Sequence, residues 1–110
     1  MTFEPLEVVV VPFPFSDRNA AKRRPALVVS SRAFNSRHGH AILAMITTAR
    51  NSHWPSDVAV QEWQAAGLSV ACLVRMKLFT LDEDLILRRL GQLGATDATA
   101  VRAALGTALA

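Results

Sequence analysis

The chain has 110 residues, about half of them hydrophobic, which is enough for the core of one small domain over residues 1–110. No segment reaches the roughly 20 consecutive apolar residues of a membrane-spanning helix, and the first residues do not have the pattern of a signal peptide. The single cysteine excludes an internal disulfide, so we expect a reducing, cytoplasmic environment.

The net charge of +3 is modest, but its distribution along the chain is uneven. Seven of the twelve Lys and Arg residues and all three histidines lie in the first half, against only three acidic residues there. Such a basic half is either ordinary surface charge or a face that attracts a nucleic-acid backbone or an acidic protein segment.

The first half of the chain alternates between strand-like runs and polar loops. Glu7–Phe13 is rich in valine and predicts a strand that ends at a sheet edge, because Pro12 cannot donate to the ladder. Residues 16–24 are polar and predict a loop. Pro25–Ser31 predicts a second strand, and its continuous apolar centre indicates burial on both faces.

Further strands are expected in the middle of the chain. Arg32–Gly39 is polar and is expected to be irregular, whereas His40–Thr48 predicts a third strand. After a loop over Ala49–Ser56, Asp57–Val60 predicts a short fourth strand. Gln61–Gly67 predicts one or two helical turns that end at the glycine.

The last third of the chain predicts a strand followed by helices. Leu68–Met76 is expected to be the fifth strand, continuing past a bend, and the acidic residues 82–84 favour the start of a short helix. Arg88–Leu93 fits either a helix or a strand. Thr96 is the expected N-cap of a C-terminal amphipathic helix that places Val101, Leu105 and Leu109 on one face. Together these elements predict a mainly β, α+β domain: a small, partly open barrel closed by a helix.

Several chemistries are disfavoured by the motifs. There is no glycine-rich phosphate loop. His38 and His40 are too few to form a zinc site, and Cys72 lies in an apolar run, where a buried hydrophobe is expected rather than a nucleophile. We therefore expect neither a metal nor a cofactor.

The cations before the second strand are the strongest candidates for function. Arg24 precedes Pro25, which favours an extended backbone and a defined side-chain direction, and a guanidinium offers a planar fork of donors to a phosphate. Lys22 and Arg23 are expected in the mobile loop, where they would steer a polyanion. The alternative is a solvated loop end, with Arg24 paired to Asp17.

Two further features could contact a nucleic acid. Thr47 and Thr48 place two hydroxyls where the third strand leaves the core, although threonine is also simply common in strands. Trp54, in a loop next to basic residues, could stack on an unpaired base or could cover the end of the barrel.

Five stretches in order resemble the MazF/PemK-like toxins of bacterial type II toxin–antitoxin modules. They are VVVVPFPFSD, KRRPALVVSS, AMITTA, WPSDV and VRMKLFTLDEDLILRRLGQL. The resemblance runs from about Glu7 to the C-terminal helix. It implies an SH3-like, partly open barrel of the CcdB/MazF type, a homodimer, and a metal-independent endoribonuclease that cuts single-stranded RNA at a short sequence motif.

The resemblance also implies roles for individual residues. Arg24 and Thr47 would be catalytic, and the loop between the first two strands would cover the RNA. The implied RNA-binding residues, with those suggested by the loop after the third strand, are Asp17, Arg18, Asn19, Lys22, Arg23, Thr48, His53 and Trp54. The disordered acidic tail of a cognate antitoxin would occupy the RNA groove, and DNA would be bound only indirectly, through an antitoxin complex.

The proton transfers and the activity itself leave alternatives open. Arginine is a poor general base, so His53, a few residues after Thr47, is a hypothetical proton shuttle. The same fold could instead serve a non-catalytic RNA- or protein-binding module. A gyrase-poisoning toxin is the less favoured alternative, because the tail ALGTALA carries no aromatic residue.

Overall fold

The computed structural model describes residues 2–13, 22–50 and 53–110. Its elements in chain order are β1 (Glu7–Phe13), β2 (Lys22–Val28), α1 (Arg32–His38), β3 (His40–Thr48), β4 (Val58–Ala59), β5 (Cys72–Asp82), a 3₁₀ turn (Glu83–Leu85), β6 (Arg88–Gln92) and α2 (Ala95–Ala108). The six strands form one sheet in the order β4-β5-β3-β2-β1-β6, and every pairing is antiparallel. The sheet curls into a half-barrel with a C-terminal helix, which confirms the predicted fold class.

The three central strands bury both of their faces, which the sequence predicted for the second strand alone. On β1, Val8 belongs to one buried cluster, whereas Val9 and Val11 belong to a second cluster. Leu27 on β2 and Ile46 on β3 join the first cluster. Because side chains alternate along a strand, each run of consecutive apolar residues supplies both sides of the sheet.

The long strand β5 carries a bulge where it passes β3. Ala44 pairs with Leu78, but the next residue of β3, Met45, pairs with Arg75. The register shift leaves Met76 and Lys77 as extra residues of β5, and a bulge of this kind typically bends a strand and increases its local twist. The predicted continuation of the strand past Met76 is confirmed, although β5 begins at Cys72 rather than at Leu68.

Helix α1 replaces the irregular segment that was expected at Arg32–Gly39. The hydroxyl of Ser31 accepts a hydrogen bond from the N–H of Phe34 at 3.1 Å and caps the helix. Gly39 ends the helix with a φ of 62°. Both cap residues are visible in the sequence, but the seven-residue helix is too short to show a periodic apolar face.

Two predictions about the ends of elements were wrong. Gly94, not Thr96, is the N-cap of α2, so the helix begins earlier than expected. Leu109 lies beyond the helix and is largely exposed, whereas Val101 is fully buried. Strand β1 is an inner strand, but β6 pairs only with Glu7–Val10, and within the described residues no strand pairs with Pro12 on that side.

The segment 61–67 forms hydrogen-bonded turns, and its start is tied to helix α2. Within the turns, the N–H of Leu68 donates to the carbonyl of Trp63 at 2.9 Å. At the start of the segment, the carboxylate of Asp97 on α2 accepts hydrogen bonds from the N–H groups of Gln61 and Glu62 at 2.9 and 3.0 Å. Helix α2 therefore anchors the start of the turns, and Gly67 at their end lines the cleft described next.

A carboxylate-free cationic cleft

Two adjoining pockets open where the ends of β2 and β3 meet. Their volumes are about 430 Å³ and about 260 Å³. Arg24, Ile46 and Thr47 line both of them. We call the larger one pocket A and the smaller one pocket B, and together they form a single cleft with these three residues on the ridge between its halves.

Arg24 and Thr47 line the same two pockets although they are 23 positions apart in the sequence. The observed pairing of β2 with β3 reaches Ala26 and Met45. Continuing that register by two residues would place Arg24 on β2 opposite Thr47 on β3. Antiparallel neighbours in such positions lie side by side, so the guanidinium and the hydroxyl can approach one bound group from adjacent strands.

Pocket A combines an apolar floor with a cationic rim. Besides the ridge, pocket A is lined by Val10, Arg23, Pro25, Thr48, Gly67, Leu68, Ser69, Val70, Cys72, Arg88 and Leu90. Cys72 is buried, and this burial raises the pKa of its thiol, so the sulfur is protonated at neutral pH and is not a nucleophile. This agrees with the expected structural role of Cys72.

Pocket B is smaller and more polar. Besides the shared ridge it is lined by Phe13, Met45, Arg75 and Lys77. No carboxylate is among the described residues that line either pocket. Asp57 pairs with Arg75 at 2.9 Å. Arg23, Arg24, Lys77 and Arg88 also line the cleft, so it still concentrates positive charge, which favours a polyanionic ligand.

The three consecutive cations do not divide as the sequence predicted. Lys22, Arg23 and Arg24 all belong to β2, where they pair with Phe13, Pro12 and Val11. The expectation that Lys22 and Arg23 lie in the loop was therefore wrong. The pockets distinguish the three cations: Arg23 lines only pocket A, Arg24 lines both pockets, and Lys22 lines neither.

The remaining predicted RNA-binding residues fall in different places. Thr48 lines pocket A, next to Thr47. His53 lines neither pocket, and its Nε2 lies 3.0 Å from the carbonyl oxygen of Ala49. The predictions for Asp17, Arg18 and Asn19 lie outside the described residues, as does the suggested Asp17–Arg24 pair.

Three cations of the cleft were missed by the sequence reasoning. Arg75 precedes the bulge in β5 and Lys77 lies within it, and both line pocket B; Arg88 begins β6 and lines pocket A. The one available signal was the interruption of the apolar run of β5 by VRMK. The pairing of β5 with β3 brings Arg75 and Lys77 to the cleft, and the pairing of β6 with β1 brings Arg88 there.

Among the described residues, no group of three or more His, Cys, Asp or Glu side chains could hold a metal ion. No helix within the described ranges is long and apolar enough to cross a membrane.

Solved structures share the fold that builds this cleft. MazF from Deinococcus radiodurans superposes with a TM-score of 0.75 at 25% identity, covering 98% of this chain and 96% of that one. A MazE–MazF structure from the same organism gives a TM-score of 0.77 at 22% identity over 98% and 96% of the two chains. A mycobacterial endoribonuclease in complex with its cognate antitoxin gives 0.75 at 20% identity over 97% and 92%. The curled sheet with its C-terminal helix is thus the MazF fold.

Residues 4–109 match the family described as the PemK-like, MazF-like toxin of type II toxin–antitoxin system. The chain belongs to this toxin family, whose MazF members are endoribonucleases. A search of curated protein sequences finds no significant match.

Proposed function

We propose that the protein is a sequence-selective, metal-independent endoribonuclease that cleaves single-stranded RNA in the cleft between β2 and β3. This proposal rests on the position of Arg24 and Thr47 on the ridge shared by the two pockets. A strand of RNA could run from one pocket to the other with one phosphate on this ridge. Membership of the toxin family supports the same activity.

The chemistry needs no bound metal if the RNA supplies its own nucleophile. The 2′-oxygen attacks the adjacent phosphorus, a P–O2′ bond forms, and the P–O5′ bond breaks. One proton leaves the 2′-hydroxyl and one reaches the departing 5′-oxygen, so the products carry a 2′,3′-cyclic phosphate and a 5′-hydroxyl. Negative charge grows on the phosphoryl oxygens during this exchange.

Arg24 and Thr47 are the groups suited to that charge. The guanidinium offers a fork of N–H donors and the threonine offers one O–H donor, so two strands can each supply donors to the same phosphate. Losing one donor that is aimed at developing charge costs on the order of 100- to 1000-fold in rate. Thr48, Arg23 and Arg88 would hold the RNA in pocket A.

The proton acceptor remains a separate hypothesis. Arginine holds its proton too tightly to be an ordinary base. His53 is the only histidine in the loop that follows Thr47, and it belongs to the proposal as the candidate shuttle. An unchanged cleavage rate in His53→Ala would remove it from the mechanism.

The partners are proposed on the same basis. We expect one domain over residues 1–110, a cytoplasmic homodimer, and neutralisation by a cognate antitoxin whose acidic tail covers the cationic cleft. Related MazE–MazF structures support the antitoxin partner. Sedimentation at micromolar concentration tests the dimer, because a monomer alone would contradict it.

The deciding experiment is cleavage of a long single-stranded RNA in the presence of EDTA, with analysis of the ends. Wild-type protein should give cyclic phosphate and 5′-hydroxyl ends, and Arg24→Ala and Thr47→Val should be at least about 100-fold slower. Thr47→Ser should keep much of the rate, because it retains the hydroxyl. Arg102→Ala is the matched control, since Arg102 is an exposed cation on α2 that lines neither pocket.

Equal rates for wild type and Arg24→Ala would refute the proposal. Salt-sensitive RNA binding without turnover would instead favour a non-catalytic RNA-binding module.

A further inference from the structure

We propose that Trp54, held by Asp57 and Arg75, is a stacking subsite for one unpaired nucleobase of the RNA, next to pocket B. This inference rests on the proposed function, because it deepens the description of the same substrate. It concerns a side chain that lines neither pocket and a salt bridge that the proposed cleavage step does not use.

The segment Trp54–Asp57 is a tight turn closed by two hydrogen bonds. The N–H of Asp57 donates to the carbonyl of Trp54 at 3.0 Å, and the N–H of Trp54 donates to Oδ2 of Asp57 at 2.8 Å. Pro55, the second residue of the turn, has the fixed φ that such turns favour. The backbone that carries the indole is therefore set by its own turn.

The carboxylate of Asp57 also fixes the guanidinium of Arg75. Nε and Nη2 of Arg75 donate to the two carboxylate oxygens at 3.1 and 2.9 Å. The side chain of Asp57 is only 4% exposed, and that of Arg75 is 13% exposed. The hydrogen bond from Arg75 is the largest cause of the lowered pKa of Asp57, so the pair is fully ionised at neutral pH.

Arg75 in turn supports the aromatic ring. Its guanidinium carbon lies 4.9 Å from the centroid of the Trp54 ring, which is a cation–π contact. The indole nevertheless remains 42% exposed, so much of its surface is open to a ligand. A large aromatic side chain that is both held in position and exposed is typical of a stacking platform.

Arg75 connects this platform to the cleft. It lines pocket B together with Arg24, Thr47 and Lys77. Asp57 neutralises the charge of Arg75, so Arg24 and Lys77 supply the phosphate attraction and Trp54 supplies a flat apolar face beside them. Cationic backbone contacts next to an exposed ring are the combination by which single-stranded nucleic acids are bound.

An unpaired base explains this combination better than a protein segment does. An acidic peptide would be attracted to the cations, but it would not require a rigid ring. Every nucleobase has a π-face, and removing an aromatic platform typically weakens binding by roughly 5- to 140-fold per base. We expect the lower part of this range, because Arg75 already covers part of the ring.

The test uses the fluorescence of Trp54 itself. The chain has two tryptophans, so Trp63→Phe leaves Trp54 as the sole tryptophan. The probe is a 2′-O-methyl RNA oligonucleotide that spans a cleavage site and cannot be cut by 2′-hydroxyl attack. Binding is followed in parallel by anisotropy of a labelled oligonucleotide. Tryptophan quenching should saturate at the same concentration as anisotropy, and an abasic substitution at one position should abolish the quenching.

Variants of Trp54 and Arg75 distinguish a tryptophan that stacks on a base from one that only covers the end of the barrel. Trp54→Leu keeps an apolar side chain without a ring and should raise KM and the RNA Kd at least about 5-fold, with kcat within about twofold of wild type. Trp54→Phe should recover part of the loss. Arg75→Lys, which keeps the charge but loses the fork and the planar stack, should weaken the quenching.

The outcomes distinguish this inference from the proposed function. Oligonucleotide binding with unchanged Trp54 fluorescence, or wild-type binding by Trp54→Leu, would overturn the subsite and leave the nuclease proposal standing. Quenching by a polyglutamate peptide but not by RNA would overturn it in favour of a protein partner. Protein that neither binds nor cleaves RNA would overturn both proposals.

Discussion

Replacing Gly67 by alanine should strongly destabilise the protein, for two separable reasons. Gly67 has a φ of +89°, a backbone conformation that side chains with a Cβ rarely adopt. A Cβ at this position would also lie 2.4 Å from the carbonyl oxygen of Leu90 and 2.8 Å from its carbonyl carbon. Because both atoms belong to the backbone of β6, the turn and the strand must move apart to make room.

Two other glycines isolate the two contributions. Gly39 has a φ of +62° with nothing within 4 Å, so Gly39→Ala measures the conformational cost alone, about 1–2 kcal/mol. Gly91 has no positive φ, but its Cβ would lie 2.4 Å from the carbonyl oxygen of Ala66, so Gly91→Ala measures the overlap, about 1–3 kcal/mol. Gly67→Ala combines both and should cost about 2–5 kcal/mol.

Urea denaturation of the purified variants, followed by far-UV circular dichroism, provides the measurement. Gly106→Ala is a control that should raise the free energy of unfolding. Gly106 lies in α2 with nothing within 4 Å of an added Cβ, so alanine there should stabilise the protein by about 0.5–1 kcal/mol. The expected order of stability is Gly106→Ala, wild type, Gly39→Ala, Gly91→Ala, Gly67→Ala. Wild-type stability for Gly67→Ala, or a loss no larger than that of Gly39→Ala, would refute the reasoning.

Three further predictions concern buried polar groups. Asp97→Ala should lower the free energy of unfolding by about 3 kcal/mol, because it removes a charged acceptor from two backbone N–H groups, and a loss below about 1 kcal/mol in urea denaturation would contradict this. Asn35→Leu should cost about 2–4 kcal/mol in the same assay, since the fully buried amide donates to the Phe3 carbonyl at 2.9 Å; wild-type stability would contradict its role. The pKa of Asp57 lies below its ordinary value of 3.8, so its contribution is complete above that pH and is lost as the pH falls through the lowered value. The stability difference between wild type and Asp57→Asn should therefore be constant from pH 5 to 7 and shrink in more acidic solution, and a difference that grows on acidification would show that the sign is wrong.

The strands were largely predictable because their signal is local. Consecutive valines in β1 and the apolar run of β3 require burial on both faces, whatever they pack against. The ends were less predictable. Pairing with Phe13 and Pro12 extends β2 over Lys22 and Arg23, which are too polar to indicate a strand by themselves. Cross-strand hydrogen bonds, rather than residue preference, determine where such a strand begins.

The residues of the candidate site also differ in how far the sequence could predict them. Arg24 and Thr47 could be selected from the sequence because each lies next to a strong local signal: a following proline, and the end of an apolar strand. Arg75 could not be assigned a role, since its surroundings come from Asp57 and Trp54 across the fold. A lone arginine in a strand gives no indication of whether it binds a ligand, a carboxylate or a ring.

The sequence alone therefore determined most of the strands, the two-sided burial of the second strand and the basic cluster before it, because these depend on residue type and short-range spacing. The tertiary structure alone decided which cations share a cleft. Arg24 on β2 and Thr47 on β3 line the same two pockets, and β5, which pairs with β3, brings Arg75 and Lys77 to one of them. Register and bulges arise from the pairing of segments that are distant in sequence, so no local pattern of residues could indicate them.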